Sequence, residues 1–274
     1  MTKALHKMVL AALLLTFSSA LALSQETTSK SSLECRDNWN SGRLASHCEI
    51  KEFTLPSNGS LNVNAGKNGG VSIKGWDRNE ILVRARVQAG APTKSEAEAL
   101  GQQITIQTAG GTISATGPEH GNDYHWSVNY EVFVPRRSDL SLETRNGGLA
   151  ISDVYGRIQF QAVNGGVVLR RVGGSVRGST TNGGLVVELT GEQWDGEELD
   201  VRTTNGGIVM SVPENYSAHL QTGTVNGNLS VDFPGMQQDK KAKELAVYLG
   251  SGGARVRAMT TNGGVKIKRT ALAY

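Results

Sequence analysis

One turn recurs along this chain and limits what it can become. Asn-Gly-Gly occurs at Asn146-Gly147-Gly148, Asn164-Gly165-Gly166, Asn182-Gly183-Gly184, Asn205-Gly206-Gly207 and Asn262-Gly263-Gly264, with Asn226-Gly227-Asn228 as a variant copy. Aligned on the Asn, the flanking residues fall into columns. Six positions before it stand Leu140, Ile158, Val176, Leu199, Leu220 and Val256; two before it stand Thr144, Ala162, Thr180, Thr203, Thr224 and Thr260. Three positions after it stand Leu149, Val167, Leu185, Ile208, Leu229 and Val265, and five after it Ile151, Leu169, Val187, Met210, Val231 and Ile267. Polar residues such as Gln159, Arg177, Asp200 and Arg202 lie between the apolar columns. Period-two alternation on both sides of a repeated turn is the pattern of stacked short strands.

Two all-β architectures fit. The first is a single-chain β-solenoid, in which equivalent residues stack in parallel and columns of Thr or Asn hydrogen-bond along the stack. The second is an antiparallel β-sandwich or meander, because Asn-Gly between apolar runs is also a strong hairpin signal. Residue-by-residue columns at a near-constant period favour the solenoid. In that reading the Asn-Gly-Gly triplets are corners, and their glycines are expected to supply positive φ. Longer intervals at 191–198 and 236–244 read as surface insertions. A solenoid also needs covered ends. The helix formers around Lys94–Ile104, with Ala97, Leu100 and Ile104 on one face, predict one short capping helix.

The chain begins with Lys3 and Lys7, an apolar run from Met8 to Phe17 and an Ala20-Leu21-Ala22 cleavage-like site. This is the three-part form of a signal peptide, assigned to residues 1–22, and the run is too short to span a bilayer. The expected location is therefore exported, periplasmic or extracellular, with no membrane span in the mature chain. Residues 23–52 form a polar leader containing the two cysteines, Cys35 and Cys48. In an exported chain this pair is expected to form a disulfide rather than a zinc site. Residues 53–270 are assigned to the solenoid, irregular over 53–137 and regular over 138–270. The formal charge is +3 and falls to about +1 without the leader lysines, which gives no footprint for nucleic acid.

The short strands around Asn-Gly-Gly are preceded by Gly75-Trp76-Asp77 and by Tyr130-Glu131-Val132-Phe133-Val134-Pro135. With these features the chain resembles the bacterial putative-adhesin β-strand repeat family, an adhesin-like domain of unknown function similar to auto-transporter adhesin head domains. The resemblance covers roughly residues 50–270. It implies a β-solenoid and carries over no catalytic residue.

Direct inspection of the residues points the same way. If coils stack in register, Arg170 neighbours Glu188, Arg177 neighbours Asp200, and Asp232 neighbours Lys268, which are compensating pairs rather than the poised carboxylates of a glycosidase. Glu119, His120, Asp123 and His125 read as a polar loop. Glu192, Asp195, Glu197, Glu198 and Asp200 around Trp194 read as a solvated insertion, with a calcium or sugar site as the sharper alternative. No catalytic, cofactor or metal residues are assigned. Ala150, Val168, Val186 and Val209 form an outward apolar stripe, which either the helix near Leu100 or an N-terminal strand covers, or a partner uses. The leading function is a non-enzymatic binding or scaffold module of the cell envelope, recognising an envelope protein or glycan, with oligomeric state left open. The alternatives are a carbohydrate-active solenoid enzyme using Glu197 and Asp200, and a structural envelope protein that self-associates through Val168, Val186 and Val209.

Overall fold

The alternating columns become strands that pair in parallel with their counterparts one repeat away. The structure is a computed structural model that describes residues 33–35, 43–119, 121–233 and 242–270. The signal-peptide assignment at residues 1–22 lies outside them.

The first part of the domain comprises β1 (Ala45–Pro56), β2 (Ser60–Asn64), β3 (Val71–Trp76) and β4 (Glu80–Ala91), then α1 (Lys94–Gln102). It continues through β5 (Thr105–Gln107), β6 (Thr112–Thr116) and β7 (His125–Pro135). The regular coils follow as β8 (Asp139–Asn146) with β9 (Leu149–Ser152), β10 (Tyr155–Asn164) with β11 (Val167–Arg170), and β12 (Gly173–Asn182) with β13 (Leu185–Glu188). Next come β14 (Glu198–Asn205) with β15 (Ile208–Pro213), and β16 (Ala218–Asn226) with β17 (Leu229–Val231). The last elements are β18 (Glu244–Leu249) and the pair β19 (Arg255–Asn262) and β20 (Val265–Thr270).

Each coil contributes its first strand to one sheet and its second to another. Among the described residues the first sheet runs β1-β4-β7-β3-β9-β11-β13-β15-β20-β17, and the second β18-β16-β19-β14-β12-β10-β8-β2-β6-β5. Register is strict: Ile158 pairs with Val176, Ala162 with Thr180, and Asn164 with Asn182. Parallel pairing of like with like makes the fold a β-solenoid. It excludes the antiparallel sandwich or meander, because a type I′ hairpin would place the strands flanking each Asn-Gly side by side. The apolar columns on either side of the Asn fill the space between the sheets: Ile158, Val176, Leu199, Val256, Val167, Leu169, Val187, Met210 and Ile267 are all fully buried or within 1% of it.

The coil order departs from chain order at both ends. The last pair, β19 and β20, inserts between the β14–β15 and β16–β17 coils, and the first pair, β2 and β3, lies between β6–β7 and β8–β9. Antiparallel strands finish the stack: β4 and β1 extend the first sheet beyond β7, and β18 extends the second beyond β16. The polar leader is thus partly strand, since β1 starts at Ala45 within the residues assigned to it.

The helix forms where the sequence places it, stopped at its start by a capping box. Thr93 Oγ1 accepts from the Glu96 amide, and the Glu96 carboxylate accepts from the Thr93 amide. Ala97 and Leu100 are buried as α1 packs against β1 and β4, closing the core at that end. The helix therefore does not cover the Val168–Val186–Val209 row, and that expectation is corrected. The disulfide Cys35–Cys48 is formed, with Cα atoms 5.6 Å apart, and joins residue 35 to β1. Arg86 Nη1 donates to the Glu34 carbonyl at 3.1 Å, a second tie between this segment and β4.

Candidate binding surfaces

Three features of the coils present side chains or backbone in ordered rows: the Asn corner, the outer face of the first sheet, and the outer face of the second.

At the corner, the Asn side chains form one directed ladder. Asn146 Nδ2 donates to Asn68 Oδ1 at 3.0 Å, Asn164 to Asn146 at 2.7 Å, Asn182 to Asn164 at 2.8 Å and Asn205 to Asn182 at 2.8 Å. It continues with Asn262 donating to Asn205 at 2.7 Å and Asn226 to Asn262 at 2.8 Å. A primary amide holds one acceptor and two donors, so each Asn serves both neighbours in the same direction. Behind it the Thr column points inward. The hydroxyls of Thr144, Thr180, Thr203, Thr260 and Thr224 donate to the carbonyls of Gly69, Gly165, Gly183, Gly206 and Gly263 at 2.6–2.8 Å.

The corner glycines serve a different purpose from the one expected. None of those in the Asn-Gly-Gly triplets is among the positive-φ glycines. Their requirement is closeness: a Cβ on Gly183 would lie 2.1 Å from the Gly165 carbonyl oxygen of the next coil, and the equivalent separations at Gly147, Gly165, Gly206 and Gly263 are 1.9–2.2 Å. Positive φ falls instead at the opposite corner, on Asp153 and Arg171, whose side chains pair with bonds of 2.7 and 2.8 Å.

On the first sheet the outward apolar residues align as the columns require. Ala150 pairs with Val168, Val168 with Val186 and Val186 with Val209 across β9, β11, β13 and β15. Val186 is exposed and the other three are half-buried. Lys266 on β20 ends the row. Beside it Arg170 and Glu188 form the expected ion pair at 3.2 Å.

The second sheet carries a denser arrangement. Arg177 lies opposite Asp200 in register, as expected, but its ion-pair partner is Glu198, which also binds Arg255. Asp200 accepts from Arg202 at 3.3 and 3.2 Å and from Arg257 at 3.1 Å. The Glu198 carboxylate is held below the usual range by its hydrogen bonds from Arg255 and Arg177. For Asp200, burial pushes upward, but the bonds and charges of Arg202 and Arg257 outweigh it and the net shift is downward. Neither carboxylate is poised as a general acid, which needs a raised pKa near working pH.

The two local clusters noted in the sequence come apart. Trp194 is 5% exposed and its Nε1 donates to the Gly174 carbonyl at 3.0 Å, so the ring is a core anchor and offers no sugar-stacking face. Among the described residues no group of three His, Cys, Asp or Glu side chains converges on a metal-sized site. His120 lies outside those residues. One feature escaped the sequence columns. Tyr248 on β18 stacks on His219 of β16, with ring centroids 4.5 Å apart and planes 17° apart. The alternation of Leu245, Val247 and Leu249 around it was the available signal, lost because β18 belongs to no Asn-centred repeat.

Among solved structures, the chain is similar to one described as a "putative cell adhesion protein" from Clostridium sporogenes, at 13% identity over 82% of this chain and 100% of the other, with a TM-score of 0.40. A "putative adhesin" from Parabacteroides merdae matches at 11% identity over 82% and 95%, with a TM-score of 0.34. A "putative lipid binding protein" from Parabacteroides distasonis matches at 9% identity over 81% and 97%, with a TM-score of 0.30. No curated protein matches the chain significantly. The family model described as Toastrack DUF4097 matches residues 52–268, from within β1 to within β20, and the chain belongs to that family.

Proposed function

We propose that this chain is an exported, non-enzymatic binding or scaffold module of the cell envelope, adhesin-like in role. The observation that carries the reading is the outer face of the second sheet. Its side chains are held in register on a stack of parallel strands, and its two sunken carboxylates, Glu198 and Asp200, are each bound by two arginines. Such a face can hold a ligand across many strands, while the arginines oppose the proton donation that glycoside hydrolysis needs. Export is supported by the residue pattern at 1–22 and by the Cys35–Cys48 disulfide, which persists in oxidising compartments. No helix among the described residues is long and apolar enough to cross a membrane.

The test joins location and chemistry. The full chain, expressed with its own leader, is expected in the osmotic-shock or culture fraction with residues 1–22 removed. The purified product is expected to leave the chain length of neutral and acidic polysaccharides unchanged on prolonged incubation. Shortening of a polysaccharide that disappears in Glu197→Gln and Asp200→Asn variants overturns the non-enzymatic reading.

A second reading, a structural envelope protein that self-associates, draws on the Ala150–Val168–Val186–Val209 row. Four aligned apolar side chains on adjacent strands make a strip roughly 14 Å long at ordinary strand spacing.

A further inference from the structure

Deepening the binding reading above, on which it rests, the outer face of the second sheet has the chemistry of a site for one kind of polymer. The vertical arrangement of its charges matters most. The side chains of Glu198 and Asp200 are 10% and 13% exposed, whereas those of Arg177, Arg202 and Arg255 are 63%, 61% and 44% exposed. The carboxylates form a floor and the guanidinium groups the surface. With Arg257 the cluster holds four positive and two negative groups, so the side presented to solvent is electropositive although the pairs beneath are satisfied. Each arginine meets its carboxylate through part of its five-donor fork, which leaves further N–H groups for a ligand.

The neighbouring strands extend this surface. Arg255 sits in register beside His219, and Arg257 beside Gln221. His219 in turn lies opposite Tyr248, and the two rings stack. Tyr248 is 71% exposed, at an outward position of β18 opposite His219. Stacking on His219 holds it in place. Gln221 Nε2 reaches His219 Nε2 at 3.4 Å, so an amide borders the ring pair. From Tyr248 to Arg177 the surface crosses β18, β16, β19, β14 and β12, four strand spacings or roughly 19 Å.

We propose that this strip binds an acidic polysaccharide, a glycan bearing carboxylates along its length. Guanidinium forks recognise carboxylates by paired, charge-assisted hydrogen bonds. An exposed tyrosine offers an apolar ring face with a polar tip to a sugar, and Gln221 and His219 offer groups for its hydroxyls. The flat, strand-crossing shape suits an extended chain. The modest local excess of positive charge, partly cancelled by its own carboxylates, suits a polymer whose charges are spaced apart better than a dense polyphosphate.

The test is affinity electrophoresis of the mature full chain in gels containing polygalacturonate, dextran or double-stranded DNA. Polygalacturonate is expected to retard the protein, and dextran and DNA are not. Arg202→Ala and Tyr248→Ala are each expected to weaken retardation by about tenfold, the scale of one lost charge-assisted or stacking contact. Asp200 keeps Arg257 in the first variant, and Tyr248 lies at the surface, so unchanged melting curves separate lost binding from lost fold. Ser230→Ala, at an exposed position on β17 of the other sheet, serves as the control that keeps binding. Equal retardation by DNA, or by dextran, overturns the proposed selectivity. Retardation by polygalacturonate that survives both variants shows that the strip is not the site while leaving a binding module intact. Absence of retardation overturns this inference alone, whereas shortening of the polysaccharide overturns the broader non-enzymatic reading.

Discussion

Asn262 donates its side-chain amide to Asn205 at 2.7 Å, although the coil of Asn226 lies between them in sequence. Asn226 then donates to Asn262 at 2.8 Å, so the ladder reads 205, 262, 226 in space. In sequence β16, β17 and β18 precede β19 and β20, yet in the stack β19 and β20 lie between the β14–β15 and β16–β17 coils. The final coil is therefore interior. A chain ending at residue 251 is expected to lose cooperative folding, because β14 and β16 would each present an unpaired edge with an apolar face. Urea unfolding followed by circular dichroism checks this. A shortened chain that keeps a single sharp transition near the original midpoint would show that the inserted coil is dispensable.

The two glycines of a corner are expected to differ sharply. A Cβ at Gly183 meets a backbone oxygen at 2.1 Å, while at Gly184 the nearest atom is the Gly207 carbonyl oxygen at 3.2 Å. Gly183→Val, and also Gly183→Ala, should cost about 3 kcal/mol or more, since the stack must open for the side chain to fit. Gly184→Ala should cost much less. Thermal melts of the three variants decide the matter, and equal losses at the two positions would contradict the close-approach explanation.

Acid should loosen the arginine network of the second sheet. Glu198 and Asp200 both titrate below the usual carboxylate range in the folded chain, chiefly through arginine bonds that prevail over burial in Asp200. Carboxylates with depressed folded values contribute stability that is complete above the unfolded-state pKa and is lost as pH falls through the folded one. The melting temperature should therefore hold from neutrality to about pH 5 and fall below it. Glu198→Gln should melt lower than the parent near neutrality and show a shallower decline in acid. Parallel curves for the two proteins would mean that this network does not drive the pH response.

The apolar row on the first sheet predicts a change in association rather than in folding. Val186 is 37% exposed and stands between Val168 and Val209 in register. If the row docks a second copy, Val186→Lys should convert a larger species to monomer in sedimentation experiments while changing folding stability by less than about 1 kcal/mol. An unchanged sedimentation profile removes self-association through this face.

Much of the architecture was legible because a solenoid repeats one local solution. The column of Leu140, Ile158, Val176 and Leu199 read as an inward row in either architecture, and the matched Thr and Asn columns favoured like stacking upon like. The helix was legible through its apolar face at Ala97 and Leu100, and its capping box at Thr93 and Glu96 was there to be read as well. The candidate surface was much less so. Tyr248 and His219 sit 29 positions apart on strands of opposite direction, and nothing local to either residue announces that they stack. Arg255 reaches Glu198 across 57 positions only because the last coil is inserted.

Periodicity in the chain was sufficient to dictate the strands, the corners and their inward and outward faces, because side-chain alternation and close stacking are local constraints that every coil must meet. It did not dictate which coils become neighbours at the two ends, why the corner glycines are needed, or which charges pair. Those were decided by the folded stack, where the backbone of one coil sets the space available to the next and the last coil pairs on both sides, with β14–β15 and β16–β17.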